Sequence, residues 1–182
     1  MRRLLSTLAA AVLFAIPSQV QAQWIVGPGL GWHDDFDLGI GVFAVTPLPS
    51  LHENVSIGGD LGYFFPDCGG SSESGSIDCS YFEINANLFY TFQSETEMPV
   101  TPFVLGGLAI QRFSVDSDVD INVPGFEFDY GASSTDIALN VGGGIKFNAS
   151  DTGIQPIVGA KIEIGDGSGF VIFGGLGFPV GG

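Results

Sequence analysis

The chain of 182 residues is long enough for one domain and sets twenty Asp and Glu against five Lys and Arg, a formal net charge of −15. Two of the basic residues, Arg2 and Arg3, stand at the extreme N-terminus. The rest of the chain carries only Arg112, Lys146 and Lys161, and such a surface excludes nucleic acid as a partner. Beyond the N-terminus no window reaches the run of about eighteen apolar residues that a membrane-crossing helix needs.

In chain order, residues 1–22 combine a basic start, an apolar run from Leu4 to Ile16, Pro17, and small residues at Val20 and Ala22. That three-part pattern predicts a secretory signal peptide cleaved after Ala22. Gln23 to Trp32 then reads as a Gly-rich apolar strand, followed by an acidic turn from His33 to Asp37. His33, beside Asp34 and Asp35, is expected to be a solvated histidine rather than an acid-base catalyst. Strand two, Leu38 to Val45, places Leu38, Ile40, Val42 and Ala44 opposite Gly39, Gly41 and Phe43, and a Pro-punctuated turn from Thr46 to Asn54 ends it. Strand three, Val55 to Phe65, sets Val55, Ile57, Leu61 and Tyr63 against Ser56, Gly58, Asp60 and Gly62.

Cys68 and Cys79 enclose a short run of Gly, Ser and acidic residues. In an exported protein this spacing predicts a disulfide that clips one loop, because zinc would need more ligands than two thiols without a neighbouring histidine. Strand four alternates Phe82, Ile84, Ala86, Leu88, Tyr90 and Phe92 with Tyr81, Glu83, Asn85, Asn87 and Thr91. A short turn spans Gln93 to Pro99. Strand five begins near Val100 and keeps its alternation to about Val123. Its facing stays open, since Phe103 and Leu105 share a parity with Gln111, and a bulge is one way to reconcile them. Pro124-Gly125 marks a turn and alternation resumes from Phe126 to Tyr130, so the segment from Ser114 to Ser134 is expected to project as a hairpin. Asp116, Asp118, Asp120, Glu127 and Asp129 give that hairpin an acidic, solvated face. The pattern is not a calcium loop, because Ile121 takes the place that requires glycine.

The clearest pair of strands lies between Thr135 and Ile164. Ile137, Leu139, Val141, Ile145 and Phe147 share one face, while Asp136, Ala138, Asn140, Gly142, Gly144 and Lys146 share the other. After the turn at 148–153, Ile154, Pro156, Val158, Ala160, Ile162 and Ile164 oppose Gln155, Ile157, Gly159, Lys161 and Glu163. The polar side is mostly Gly, Ala and Asn with a few charges of both signs, which suits the lumen of a membrane barrel better than a water-facing sheet. Strand eight, Gly169 to Val180, puts Phe170, Ile172, Leu176 and Phe178 on one face. Eight strands, an even number, can close without edges, and long connections alternate with mostly short turns. The fold class is therefore all-β, an eight-stranded antiparallel up-and-down transmembrane β-barrel. The lumen of so narrow a barrel is filled by side chains, and Asp60, Glu83, Asn85, Asn87, Asp136, Asn140, Lys146, Lys161 and Glu163 are expected to form a polar plug rather than a conducting path. No nucleophile motif, cofactor cradle or metal-ligand set stands in the sequence; Gly27-Pro-Gly29-Leu-Gly31 lacks the dinucleotide spacing.

The signal sequence, the strands Thr101–Ala109 and Val141–Phe147, and the last strand together resemble the small outer-membrane β-barrel proteins of Gram-negative bacteria, the OmpA/OmpX-like barrel domain of the porin family. The resemblance covers Gln23 to Gly182. Its terminal pattern is matched at Gly175 and Phe178, but Val180 stands where the family has an aromatic residue and Gly181-Gly182 extend past it. Membership implies an outer-membrane location, a lipid surround, passage through the barrel assembly machinery, and roles in envelope stability, adhesion or ligand binding, with catalysis rare. The reading is a non-enzymatic, monomeric outer-membrane barrel without a cofactor, displaying acidic loops to an extracellular partner that the sequence does not identify. The alternatives are a small-solute channel and, from another class, a secreted soluble barrel around an apolar ligand, which the scarcity of basic residues opposes.

Overall fold

A computed structural model describes residues 23–67, 75–92, 99–119, 129–147, 153–165 and 168–181, of which 75–77, 116–119 and 129–131 are described by backbone alone. These residues form eight strands: β1 Trp24–His33, β2 Asp37–Pro47, β3 Val55–Phe64, β4 Gly75–Thr91, β5 Val100–Val119, β6 Asp129–Phe147, β7 Gln155–Gly165 and β8 Gly169–Val180. Each pairs antiparallel with the next, and β1 pairs with β8, so the meander closes on itself as a barrel. Closure gives every strand a neighbour on both sides, so the barrel has no open edge strand.

Two features differ from the sequence expectation. First, β4 begins at Gly75, inside the segment read as the cysteine loop, and pairs with the part of β5 that belongs to the expected hairpin, whose second arm starts β6 at Asp129. There the ladder continues through Gly75↔Val119 and Asp118↔Asp129, so β4, β5 and β6 rise beyond the other strands. The β4 extension is mostly polar in sequence and leaves no apolar alternation to detect. Second, β5 contains no bulge. Its register against β6 runs unbroken from Val100↔Phe147 to Asp118↔Asp129, and Phe103, Leu105, Ala109 and Gln111 are all buried on the lumen side. The apparent conflict of facing came from expecting a uniformly polar lumen; one end of this lumen is apolar.

The alternation elsewhere sorts side chains cleanly. Tyr81, Glu83, Asn85 and Asn87 point inward from β4 and are buried, while Phe82, Ile84 and Leu88 point outward and are exposed. The outside is thus apolar and the inside mixed, the inverse of a soluble domain.

The inner wall is asymmetric. Gly175 on β8, Gly29 on β1, Gly41 on β2 and Gly62 on β3 stand opposite one another in register, and the row ends on Glu83 of β4. One half of the wall therefore lacks side chains at this level, leaving room for bulky neighbours: Phe43 lies against Gly175 and Phe64 against Gly31, Gly39 and Gly62. At the β1–β8 seam the pairing from Trp24↔Val180 to His33↔Val171 lapses at Gly27 and Pro28. Proline has no N–H to donate, and a Cβ on Gly27 would overlap the Leu176 carbonyl.

A methyl group placed on Gly39 would sit 2.6 Å from the Phe64 ring and 2.8 Å from the Tyr63 carbonyl, whereas one on the outward Gly106 would meet nothing closer than 3.8 Å. We therefore expect Gly39→Ala to destabilise the barrel by about 1–3 kcal/mol through overpacking, and Gly106→Ala to be neutral or stabilising. Equilibrium urea unfolding of the two variants checks this, and equal effects would contradict the packing of Phe64 on the glycine wall.

Candidate functional site: the lumen

Six of the eight strands contribute to one buried polar network. Lys161 of β7 places its Nζ between two carboxylates, bonding Glu83 Oε1 and lying 2.7 Å from Glu163 Oε1. Asn85 donates its amide to Glu83 Oε1 and, at 2.7 Å, to Asp60 Oδ1. Asn140 donates to Asn85 Oδ1 at 2.6 Å and to Asn87 Oδ1 at 3.1 Å, and Gln111 donates to Glu163 Oε2. The strands bring these groups together from positions far apart in the chain, Lys161 and Glu83 being 78 residues from each other. Charges withdrawn from water this far are tolerable only when paired and hydrogen-bonded.

His33 completes the network. It closes β1 facing inward and is 0% exposed, so the sequence expectation of a solvated histidine is corrected: the turn begins one residue later, and the ring belongs to the lumen. Its Nδ1 accepts the Asp35 N–H at 3.0 Å. The proton of the neutral ring is therefore on Nε2, which faces Glu163 Oε2 at 3.7 Å. Asp34 fastens the same turn to β8, its N–H donating to the Phe170 carbonyl at 3.1 Å and its carboxylate accepting the Phe170 N–H at 2.8 Å. Asp37 takes a left-handed conformation, φ 58°, which Asp tolerates because its short side chain bonds locally. The turn thereby folds Phe36 back over the barrel mouth. There Phe36 stacks on Tyr81, ring centroids 4.0 Å apart, and His33, Phe64 and Phe113 complete an aromatic lid over the polar layer.

The sequence-derived lumen residues divide into three groups. Asp60, Glu83, Asn85, Asn87, Asn140, Lys161 and Glu163 meet in the network just described. Asp136 faces the lumen from the same register row, opposite Gln111. Lys146 stands apart at the other end, donating to Thr91 Oγ1 at 3.1 Å with its Nζ 5.9 Å from the centroid of Phe103. Lys146 thus belongs to the lumen as expected but meets a hydroxyl and a ring face, apart from the ion network. Of the acidic hairpin, Asp116 and Asp118 lie on β5 and Asp129 on β6, while Asp120 and Glu127 fall outside the described residues. Cys79 lies on β4 and is not a free thiol, and Cys68 falls outside the described residues. Two network members were missed from sequence, His33 and Gln111. Both had a signal: His33 continues the inward parity of Gly29 and Gly31, and Gln111 that of Phe103.

Among the described residues this arrangement holds no nucleophile poised beside a base, and its groups are paired with one another. Removing one partner of a buried pair strands the other charge, so Lys161→Met is expected to cost about 3–5 kcal/mol. Glu53→Gln in the exposed β2–β3 turn should change stability by less than about 0.5 kcal/mol. Combining Lys161→Met with Glu83→Gln should cost clearly less than the sum of the single changes. Chemical denaturation of all four proteins tests the set; additive costs would show that the two groups do not act together.

No family model matches the chain, and no curated protein is similar to it in sequence. Its similarity to solved structures is in the fold. The N-terminal β-barrel domain of Pseudomonas aeruginosa OprF aligns at 14% identity over 87% of this chain and 97% of that one, with a TM-score of 0.58. Neisserial surface protein A aligns at 14% identity over 88% and 98%, TM-score 0.60, and a major outer membrane protein of Thermus thermophilus at 12% identity over 87% and 99%, TM-score 0.65. Nearly the whole of each solved domain is matched, and this chain has the fold of the small eight-stranded outer-membrane β-barrels.

Proposed function

We propose that the protein is a non-enzymatic integral outer-membrane barrel with a plugged lumen, acting outside the lumen in envelope structure or in surface binding through acidic extracellular loops. The observation that carries this reading is the collar around the barrel. Leu30, Ile137, Leu139, Val141 and Ile162 are each more than half exposed, far more contiguous apolar surface than a soluble monomer shows to water. Aromatic residues border the collar at both ends: Trp32, Tyr63, Phe65, Phe82 and Phe170 toward the lid, and Trp24, Tyr90, Phe92, Phe147 and Phe178 toward the other end. Along β4 and one residue past its end, ten residue steps separate Phe82 from Phe92. At ~3.3 Å per residue and a tilt of roughly 40° the two belts stand about 25 Å apart, the height of the hydrocarbon band of an outer membrane. Ring belts of this kind seat a barrel at the two lipid–water interfaces.

The outward lysines and arginines that a water-exposed surface would carry are scarce, which opposes the soluble alternative. The lid and the ion network oppose the channel. The reading includes export with removal of residues 1–22, assembly by the barrel machinery as a monomer in lipid, and a Cys68–Cys79 disulfide at the base of the β3–β4 loop. The tall β4–β5–β6 wall, whose described strands run to Val119 and start again at Asp129, supports a partner-facing role for this end of the barrel.

Within the collar, Leu139→Arg should destabilise the lipid-folded protein by about 2–4 kcal/mol, and Val180→Arg near the lower belt by about 0–1 kcal/mol. Unfolding titrations from liposomes measure both, and equal small costs would remove the membrane reading. Planar-bilayer recordings should show no steady solute conductance; a stable open channel would favour the channel alternative. Thiol labelling of denatured, unreduced protein should find no free cysteine, and two reactive thiols would exclude the disulfide.

A further inference from the structure

Beneath the lid, between the glycine wall and the ion network, lies a cavity of about 120 Å³. Its floor is the row Gly29, Gly41, Gly62 and Gly175, its sides include Phe43 and Phe173, and Asp60, Glu83, Asn87 and Lys161 line one end. The charges at that end do not balance. Three carboxyl groups, Asp60, Glu83 and Glu163, are linked by hydrogen bonds, directly or through Asn85, to a single ammonium, Lys161. The unused polar atoms point the same way. Glu83 is 1% exposed and lines the cavity, yet its Oε2 has no hydrogen-bond partner; Gln111 Oε1 and Asn140 Oδ1 in the same network are likewise unpartnered. All three are acceptors, and of the unpartnered buried groups, which include His33 Nε2 and the Tyr81 hydroxyl, Glu83 is the one on the cavity wall among the described residues. A buried anionic centre with spare acceptors is completed by a cation that brings donors.

We infer that the lumen cavity is a binding site for a small organic ammonium ion, its charged head between Asp60 and Glu83 and its short apolar body on the glycine wall beneath the phenylalanines. An inorganic cation fits less well. Among the described residues the one group of three metal-capable side chains is His33, Asp34 and Asp35 at the turn; the cavity carboxylates do not converge in that way, and glycine and phenylalanine walls offer a metal nothing. An ammonium supplies a hydrogen to Glu83 Oε2, which lacks one, and can share others with the Asp60 carboxylate, and its alkyl chain can lie on flat backbone where no side chain intrudes. Aromatic faces add attraction for a cation. The size is limiting: an apolar cavity of roughly 150 Å³ admits benzene, so this one takes about five or six non-hydrogen atoms. Butylammonium meets both requirements.

The test uses the folded full-length barrel in a nonionic detergent, titrated calorimetrically with butylammonium chloride, 1-butanol and ammonium chloride, in the wild type and in Asp60→Asn. Saturable binding of butylammonium, at least tenfold tighter than either comparison compound and weakened at least tenfold by Asp60→Asn in a barrel of unchanged circular dichroism, is the expected result. Equal binding of 1-butanol would reduce the site to an apolar void, and equal binding of ammonium to an inorganic cation site; either overturns the proposal. So does an absence of saturable heat at millimolar butylammonium. The wild-type comparison stands even if Asp60→Asn fails to fold, since the three compounds differ only in charge and tail.

Discussion

The ammonium of Lys161 is the contact on which the interior depends. An eight-stranded barrel is narrow enough for inward side chains from opposite walls to touch, and the long flexible stem of lysine lets one charge bridge Glu83 on β4 and Glu163 on the strand it shares. The further members link outward from those carboxylates: Gln111 to Glu163, Asn85 to Glu83 and Asp60, Asn140 to Asn85, and Asn87 to Asn140. Without the central cation the amides would still satisfy oxygens, but the carboxylates would face one another across a low-dielectric space.

The network and the glycine wall are two sides of one packing solution. Charged side chains from β4 to β7 reach inward, and the facing strands carry glycine at the corresponding level, so the cross-section is shared unequally rather than filled by residues of similar size. The phenylalanines then occupy the space above and below, closing the polar layer from both ends. What remains is a small pocket between the two halves, bordered by both kinds of wall.

Much of this was legible in the sequence because a strand's period is two and the two faces of these strands differ sharply in composition. Strand number, order and most facings follow from runs such as Phe82 to Phe92 and Thr135 to Phe147. The hairpin arms of β5 and β6 were legible too, but the polar extension Gly75–Ser80 was not, since its sequence leaves no periodic mark. The facing of β5 was obscured because Phe103, Leu105 and Gln111 share one lumen wall although they differ in polarity. His33 was misread for a related reason: local context placed it among acids in a turn, while its burial depends on residues from β4, β7 and β8 that only closure brings near. Which lumen acids share Lys161, and that Lys146 shares none, likewise depends on strand tilt and cross-lumen reach rather than on anything local.

The seam between β1 and β8 has a consequence for how the barrel comes together. Every other pair joins neighbours in the chain and can form as a hairpin, whereas this one joins residues 24–33 to residues 171–180, the costliest loop to close by chain entropy. It is also the pair whose ladder lapses, at Gly27 and Pro28. The last line to zip up is therefore the one with the fewest rungs, and the Asp34 clasp onto Phe170 sits at its far end like a latch. Slow amide exchange should persist across the β4–β5–β6 wall after the seam has begun to breathe, so that the cylinder behaves mechanically as a curled ribbon with one hinge line rather than as a uniform tube.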